Sequence, residues 1–168
     1  MVPANACWYV FYTRPNTEKV IYTELMKRQY EAFLPVVKSL HRWRNRQRKI
    51  VAKVLFPGYI FVKTVEAEIY NIVQITHIVR CVKTGDRPAV VPEDDIRCIE
   101  RMLTMEQDVY TNPDLTEGEH VRVARGPLAG YEGMLVKRKG KARFCIQLND
   151  IRQCACIEIS TSMLEKVR

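Results

Sequence analysis

The sequence predicts an α+β protein in which a sheet with flanking helices is followed by a small β-barrel. Strand-like apolar runs alternate with segments of helical period over the first part of the chain. This periodicity lapses in the polar stretch QDVYTNPDLTE, and short alternating strands with glycine turns follow it, as in a strongly bent barrel. We therefore expect a first domain at residues 1–108, a linker at 109–116 and a barrel domain at 117–168.

Composition and charge limit the classes of function. The 168 residues include 27 Lys and Arg against 19 Asp and Glu, and the net charge of +8 favours polyanions or acidic protein surfaces as partners. No apolar run approaches the roughly 20 residues that cross a bilayer, and the first residues lack the regions of a signal peptide. We expect a cytoplasmic protein that does not contact membranes.

The apolar pattern predicts the first half of the first domain. The run WYVFY at residues 8–12 indicates a buried strand, and helical spacing of apolar positions indicates a helix over residues 17–31. Residues 32–37 return to extended character, because Pro35 breaks a helix. Residues 54–64 are expected to form a strand with Pro57 and Gly58 near its start.

The second half of this domain follows the same logic. Helical spacing recurs over residues 65–76, and a strand is expected at residues 77–83, followed by a turn at 84–86. The stretch PEDD at residues 92–95 has the composition of a helix start, since it places a proline and three acids at the positive end of the helix dipole. Ile96, Ile99 and Leu103 supply the buried stripe of that helix.

Between these elements lies the most basic stretch, residues 38–53, with seven Lys or Arg and no acid. Arg42, Arg44, Arg46 and Arg48 alternate, so an extended chain would project all four to one side. Their mutual repulsion favours a mobile hairpin over the centre of a sheet. Two interpretations stay open: a solvated hairpin, or an arm that binds DNA through phosphate contacts and stacking by Trp43.

Aromatic residues surround the Pro57-Gly58 pair in VLFPGYIFVK, residues 54–63. Strand alternation places Tyr59 and Phe61 on one face, with Ile60 and Val62 on the other. The rings either fill the core of the sheet or form an exposed patch, because proline and glycine leave little side chain to obstruct an approaching helix.

Neither the cysteines nor the histidines predict chemistry. The six cysteines contain no C-x-x-C pair and are expected to be reduced structural thiols, and the three histidines share no motif with a cysteine or carboxylate. Cys154 and Cys156 would share one face of a strand, but two thiols alone make a poor zinc site. We expect no catalytic residue, no metal and no cofactor.

Two motifs resemble those of the NusG family of transcription elongation factors. The first is LFPGYIFV at residues 55–62, preceded by WYV at 8–10, and the second is GEHVRV at 118–123 leading into GPLAGYEG at 126–133. Their order and separation also agree, and the resemblance spans almost the whole chain. It implies an NGN domain, an antiparallel sheet with flanking helices, joined to a KOW domain, a five-stranded SH3-like barrel.

The resemblance also implies partners and site residues. Members of this family bind the clamp helices of RNA polymerase, can reach its gate loop, and suppress pausing or termination. The resemblance places polymerase contacts at Tyr12, Phe56, Pro57, Tyr59, Phe61, Tyr70, Asn71 and Ile72. It places contacts with DNA of the transcription bubble at Arg42, Trp43, Arg44, Arg46, Arg48 and Lys49.

Within the family, residues 41–49 and 79–92 are similar to the specialised RfaH- and UpxY-like antiterminators of polysaccharide and capsule operons. Members that engage Rho carry an Ile-Phe-Gly-Arg type loop where this chain reads Asn-Asp-Ile-Arg at residues 149–152, so Rho is not an expected partner. A ribosomal protein is the partner implied for the KOW domain, and we expect a monomer. The alternative function is that of a ribosome- or RNA-binding KOW protein.

Overall fold

A computed structural model describes residues 3–111 and 118–167 of the chain. Two larger sheets dominate these ranges, one formed before residue 92 and the other after residue 108. None of the helices described is long and apolar enough to cross a membrane.

The first sheet is built around its central strand β1 (Cys7–Thr13). This strand pairs antiparallel with β5 (Tyr59–Thr64), with β6 (Ile78–Cys81) and with the short β9 (Val90–Val91). Strand β2 (Glu31–Phe33) pairs antiparallel with the other edge of β5, which gives the order β2-β5-β1-β6. The antiparallel sheet implied by the family resemblance is confirmed.

Helices cover both faces of this sheet. On one face, α1 (Glu18–Lys27) and α2 (Ile69–Val73) pack through Ile21, Leu25 and Ile72 onto Phe11 and Ile60. On the other face, α3 (Glu93–Leu103) packs onto the opposite side of the same strands through Ile96, Ile99 and Met102. Alternation along β5 is as predicted, with Ile60 and Val62 in the first cluster and Tyr59 and Phe61 at the second.

Two predicted helices are shorter in the structure. The helix expected over residues 17–31 ends at Lys27, because Gln29 adopts φ 63° and the Tyr30 N–H donates to the Leu25 carbonyl, turning the chain into β2. The helix expected over residues 65–76 is a 3-10 turn (Glu66–Glu68) followed by α2. It ends at Val73, and the chain enters β6 through a turn in which His77 adopts φ 76°.

Two hairpins stand apart from the first sheet. Strands β3 (Val36–Arg42) and β4 (Arg48–Val54) form the basic hairpin, and β7 (Lys83–Thr84) pairs with β8 (Arg87–Pro88) around Gly85. The strand predicted over residues 54–64 begins only at Tyr59, because residues 55–58 turn between β4 and β5.

The second sheet is antiparallel throughout. Its strands are β10 (Val109–Thr111), β11 (Glu119–Val123), β12 (Glu132–Arg138), β13 (Lys141–Leu148), β14 (Gln153–Glu158) and β15 (Leu164–Lys166), in the order β10-β14-β13-β12-β11-β15. Gly133 lies so close to β13 that an added Cβ would be 2.6 Å from the Cys145 carbonyl oxygen. Together the two sheets and three helices confirm the α+β fold class with a KOW-like second domain.

The predicted linker at residues 109–116 starts within this second sheet. Val109–Thr111 forms β10 and pairs with β14, because a β-branched and aromatic tripeptide fits a strand edge. Residues 112–116 lie outside the described part of the chain. Buried apolar residues form one continuous cluster from the α3 face of the first sheet into the second, and the Thr84 hydroxyl donates a hydrogen bond to the Asp150 carboxylate.

The expectation that all cysteines are reduced is wrong for two of them. Cys145 and Cys156 face each other across β13 and β14, with Cα atoms 4.1 Å apart, and form a disulfide. The sequence could not reveal this pairing, because it depends on the register of two strands joined by a short 3-10 turn (Asn149–Ile151).

Candidate interaction surfaces of the first domain

A pair of tyrosines marks one end of the α3 face of the first sheet. Tyr12 on β1 faces Tyr59 on β5 in register, and their ring centroids are 5.7 Å apart. Tyr12 is 36% exposed, while Tyr59 is half-buried against the core. The two rings therefore form a continuous aromatic surface, in which the exposed Tyr12 ring contacts a Tyr59 ring that packs against the core.

The Pro57-Gly58 turn holds this surface open. Gly58 has φ 85°, and a Cβ at this position would touch the Tyr12 ring at 3.4 Å. The Gly58 N–H donates to the Glu18 carboxylate of α1 at 2.8 Å, and its carbonyl accepts from the Thr13 N–H at 2.8 Å. Because Glu18 is itself buried, the turn is fixed to both the helix and the sheet. Pro57 lies exposed beside it.

Phe56 and Phe61 do not belong to the exposed surface. Both side chains are fully buried, with ring centroids 6.2 Å apart, and Phe61 also packs against Phe33. Phe61 points inward because it alternates with Ile60 on a strand that is covered on both faces. The interpretation as core packing holds for these two rings, so they can support a partner-binding surface only from beneath.

Arg80 joins the tyrosine pair, although it is not among the predicted site residues. It faces Tyr12 in register across β1 and β6, and its guanidinium carbon lies 5.7 Å from the centre of the Tyr12 ring. Arg80 reaches Tyr12 only because β6 pairs with β1, and a local sequence pattern does not reveal which strands pair. Tyr12, Tyr59 and Arg80 are hereafter called the tyrosine surface.

The predicted second contact, at Tyr70, Asn71 and Ile72, divides between surface and core. Tyr70 is 73% exposed, and Asn71 is exposed. Ile72 is fully buried between α1 and the sheet, because it lies on the inward stripe of α2, so its assignment as a contact residue is not supported.

A hydrogen-bond network holds Asn71 in place. The Glu68 carboxylate accepts from the Asn71 amide at 3.1 Å and from the Tyr30 hydroxyl at 2.9 Å. These two donors lower the pKa of Glu68 below its usual value, since both stabilise the ionised form. Beside this network, the largely exposed ring of Tyr70 faces solvent.

The basic hairpin presents its charges differently from the prediction. Strand pairing ends with Arg42 facing Arg48, so these two cations lie side by side at the end of the ladder. Arg44 and Arg46 lie in the turn, where the Trp43 N–H donates to the Gln47 carbonyl at 3.1 Å and Arg46 adopts φ 65°. The expectation that all four arginines project to one side of an extended strand is therefore wrong, because the chain reverses between them.

The tip of the hairpin nevertheless concentrates charge around an aromatic ring. Trp43 is 58% exposed, and Lys49 and all four arginines are exposed. The Lys19 ammonium of α1 donates to the Ala52 carbonyl at 3.0 Å, which ties the base of the hairpin to the body of the domain. That the hairpin is mobile stays a prediction.

The sequence of this chain is similar to those of known proteins. A family model described as "NusG: Transcription termination factor nusG" matches residues 6–100. The chain is similar to the transcription termination/antitermination protein NusG of Halalkalibacterium halodurans, with 23% identity over 95% of this chain and 98% of the relative. It is also similar to that of Pseudomonas aeruginosa, with 26% identity over 95% and 98%.

A solved structure shares the fold. The structure reported as "Domain interaction in Thermotoga maritima NusG" covers 98% of this chain and 98% of its own, with a TM-score of 0.50 and 17% identity. At that identity the likeness concerns the arrangement of strands and helices alone.

Proposed function

The chain belongs to the NusG family of transcription termination/antitermination factors, which are not enzymes, and from this premise we propose that its first domain binds the clamp helices of RNA polymerase through the tyrosine surface. The observation that carries this proposal is the exposed Tyr12 ring, held between Tyr59 and Arg80 beside a turn without bulky side chains. Tyrosine and arginine are the side chains enriched where interfaces gain most of their energy.

A second contact extends the proposal to the other face of the domain. Tyr70 and Asn71 on α2 meet the gate loop, on the side of the sheet opposite to the tyrosine surface. Bridging the clamp and the gate loop favours the closed clamp, because a ligand shifts a population toward the state that it binds better. Pausing and termination, which need the clamp to open, are thereby suppressed.

The basic hairpin contacts DNA of the transcription bubble. Its five exposed cations at residues 42–49 suit phosphate contacts, and the exposed Trp43 ring suits stacking on an unpaired base. In the second domain, by contrast, Arg122 pairs with Glu132 and Lys141 pairs with Glu158, so part of its basic charge is already balanced. We place the nucleic-acid contact on the hairpin for this reason.

We further propose that the protein acts in the cytoplasm as a monomer at specific operons, as the specialised members do, with domain boundaries near residues 108 and 117. Support for specialisation is confined to the sequence of residues 41–49, 79–92 and 149–152. Asp150 in the last of these segments bonds to Thr84 of the first domain, which leaves it poorly placed to receive Rho. A ribosomal protein is the partner proposed for the second domain.

Co-purification tests the function directly. We expect the immobilised full-length chain to retain purified bacterial RNA polymerase and to shorten pauses in a transcription assay. The Tyr59→Ala variant should lose most of the retention, whereas Met26→Ala, which alters an exposed apolar side chain on α1, should keep it. Retention of ribosomes without polymerase would instead identify a ribosome-binding protein and contradict the proposal.

A further inference from the structure

Three cysteine sulfurs meet on the outer face of the second sheet. The Cys145 and Cys156 side chains face each other across β13 and β14, and the Cys154 sulfur lies 3.5 Å from that of Cys156. All three sulfurs lie within 4.8 Å of one another, and all three residues are buried. They pack apart from the main core, which β13 and β14 reach with alternate residues such as Phe144 and Ala155.

The surroundings of this cluster suit a soft metal ion. Met134 faces Cys145 in register on β12, Tyr110 faces Cys156 on β10, and both pack against the cluster. These side chains exclude water and offer no carboxylate. A thioether and thiols are the ligands that select soft ions such as Cu(I) over hard cations.

A partly buried cation lies beside the same face. Arg143 precedes Cys145 by two residues on β13, so both side chains lie on one face of that strand. Its guanidinium lies 4.8 Å above the centre of the Tyr110 ring, and its buried Nε atom has no hydrogen-bond partner within the described residues. An unsatisfied buried donor of this kind favours a negatively charged neighbour.

We propose that the reduced second domain binds one Cu(I) ion through the thiolates of Cys145, Cys154 and Cys156. Three sulfur ligands complete a trigonal Cu(I) site, whereas structural Zn(II) sites almost always have four ligands. Binding converts three thiols to thiolates and releases three protons, which leaves a complex of charge −2 beside the Arg143 guanidinium.

The disulfide and the ion exclude each other. Two of the three ligands are consumed in the Cys145–Cys156 bond. That bond must first be reduced to two thiols. A dithiol supplies two electrons and two protons and itself becomes a disulfide, whereas a phosphine supplies two electrons and becomes a phosphine oxide, with its oxygen and the two protons coming from water. The site therefore exists only in the reduced protein, and the proposal does not depend on polymerase binding.

The test is a competition for Cu(I). The full-length protein is reduced with a phosphine, desalted without oxygen and titrated with Cu(I) in the presence of the chromophoric chelator bathocuproine disulfonate. We expect the reduced chain to withdraw one equivalent of Cu(I) and the oxidised chain to withdraw none. A parallel titration with Zn(II) should show at least tenfold weaker retention than for Cu(I) when each is measured against its own chelator.

Variants locate the site. Cys154→Ser should weaken Cu(I) binding at least tenfold, and Cys154→Ala, which avoids a buried hydroxyl, should do the same with a melting temperature close to that of the parent. Cys7→Ser, which alters a half-buried cysteine of the first domain, should bind normally. Any of three results would overturn the proposal. These are that the reduced parent withdraws no Cu(I), that both Cys154 variants bind Cu(I) as tightly as the parent, or that the parent retains Zn(II) more tightly than Cu(I).

Discussion

The ring of Tyr12 lies 5.7 Å from the ring of Tyr59, because the two residues face each other across β1 and β5. The contact couples an exposed ring to a half-buried one. A partner that packs on Tyr12 therefore also depends on the support that Tyr59 provides from the core side.

This coupling predicts a non-additive pair of substitutions. We expect Tyr12→Ala and Tyr59→Ala each to weaken polymerase binding by about 2 kcal/mol. The double variant should lose roughly 0.5–1.5 kcal/mol less than the sum, since the first substitution already removes the ring contact. Equilibrium titration of labelled full-length protein with polymerase measures all four dissociation constants.

The control for this cycle is Met26→Ala, which removes an exposed apolar side chain elsewhere on the first domain. Its dissociation constant should match that of the parent. Parental affinity in both tyrosine variants would exclude the tyrosine surface as the polymerase contact.

The buried Glu18 carboxylate predicts a loss of stability at the turn. Glu18→Ala leaves the Gly58 N–H without its acceptor in a buried site, and such a loss typically costs about 1–3 kcal/mol. Urea denaturation followed by tryptophan fluorescence measures the change. The matched variant Glu24→Ala removes a surface ion pair between α1 and Arg28 just beyond its end, and should cost much less because solvent screens such pairs. Equal costs for the two variants would show that Glu18 does not hold the turn.

The hairpin charges predict a change in salt dependence. Replacing Arg42, Arg44, Arg46 and Arg48 with Gln should reduce the slope of log affinity against log salt by roughly 3 for a DNA-containing polymerase complex, if each arginine contacts one phosphate. Binding measured at four salt concentrations gives the slope.

A charge-matched control separates a local effect from net charge. Replacing Lys137, Arg138, Lys139 and Arg125 of the second domain with Gln removes the same charge, and the slope should then stay near the parental value. If the hairpin variant also keeps the parental slope, its arginines touch no phosphates.

Local pattern could predict the strands, the helices and their faces, because alternation and helical spacing are properties of short segments. Tyr59 and Ile60 lie on the faces that alternation predicted. The pattern could not show which aromatic side chains stay exposed. Phe56 is fully buried whereas Tyr59 is half-buried, and this difference depends on α3 and on strand pairing.

Contacts between distant segments escaped prediction for the same reason. Glu18 meets Gly58, and Arg80 meets Tyr12, only because the register of β1 with β5 and β6 brings them together. The basic segment forms the hairpin that its charge pattern favoured, but alternation would place the four arginines on one side only in an extended chain, and the reversal at residues 43–47 places Arg44 and Arg46 in a turn. Alternation is informative only while the strand continues.

The first turn of α3 predicts a pH-dependent stability. Burial, and then the neighbouring Asp94 carboxylate, raise the pKa of Asp95 to about 6 from an ordinary value of 3.8. Because the folded-state pKa is the higher one, the contribution of Asp95 to stability is fully present below about pH 4. It is lost as the pH rises through 6, where the folded protein must hold a partly desolvated charge.

Asp95→Asn removes this penalty. At pH 7 we expect the variant to be more stable than the parent by on the order of 1 kcal/mol, a value reduced for solvent screening of a carboxyl that is only partly buried. At pH 4 the two proteins should differ little, because Asp95 is then largely protonated in the folded state. Asp94→Asn is the matched control, since it removes an exposed charge that favours the positive end of the helix dipole. This loss is partly offset by the relief of its repulsion of Asp95, so Asp94→Asn should stabilise the protein at pH 7 less than Asp95→Asn does. Urea denaturation between pH 4 and pH 8 measures the stability of both variants. If the difference in stability between Asp95→Asn and the parent does not grow with pH, the partial burial of Asp95 carries no cost.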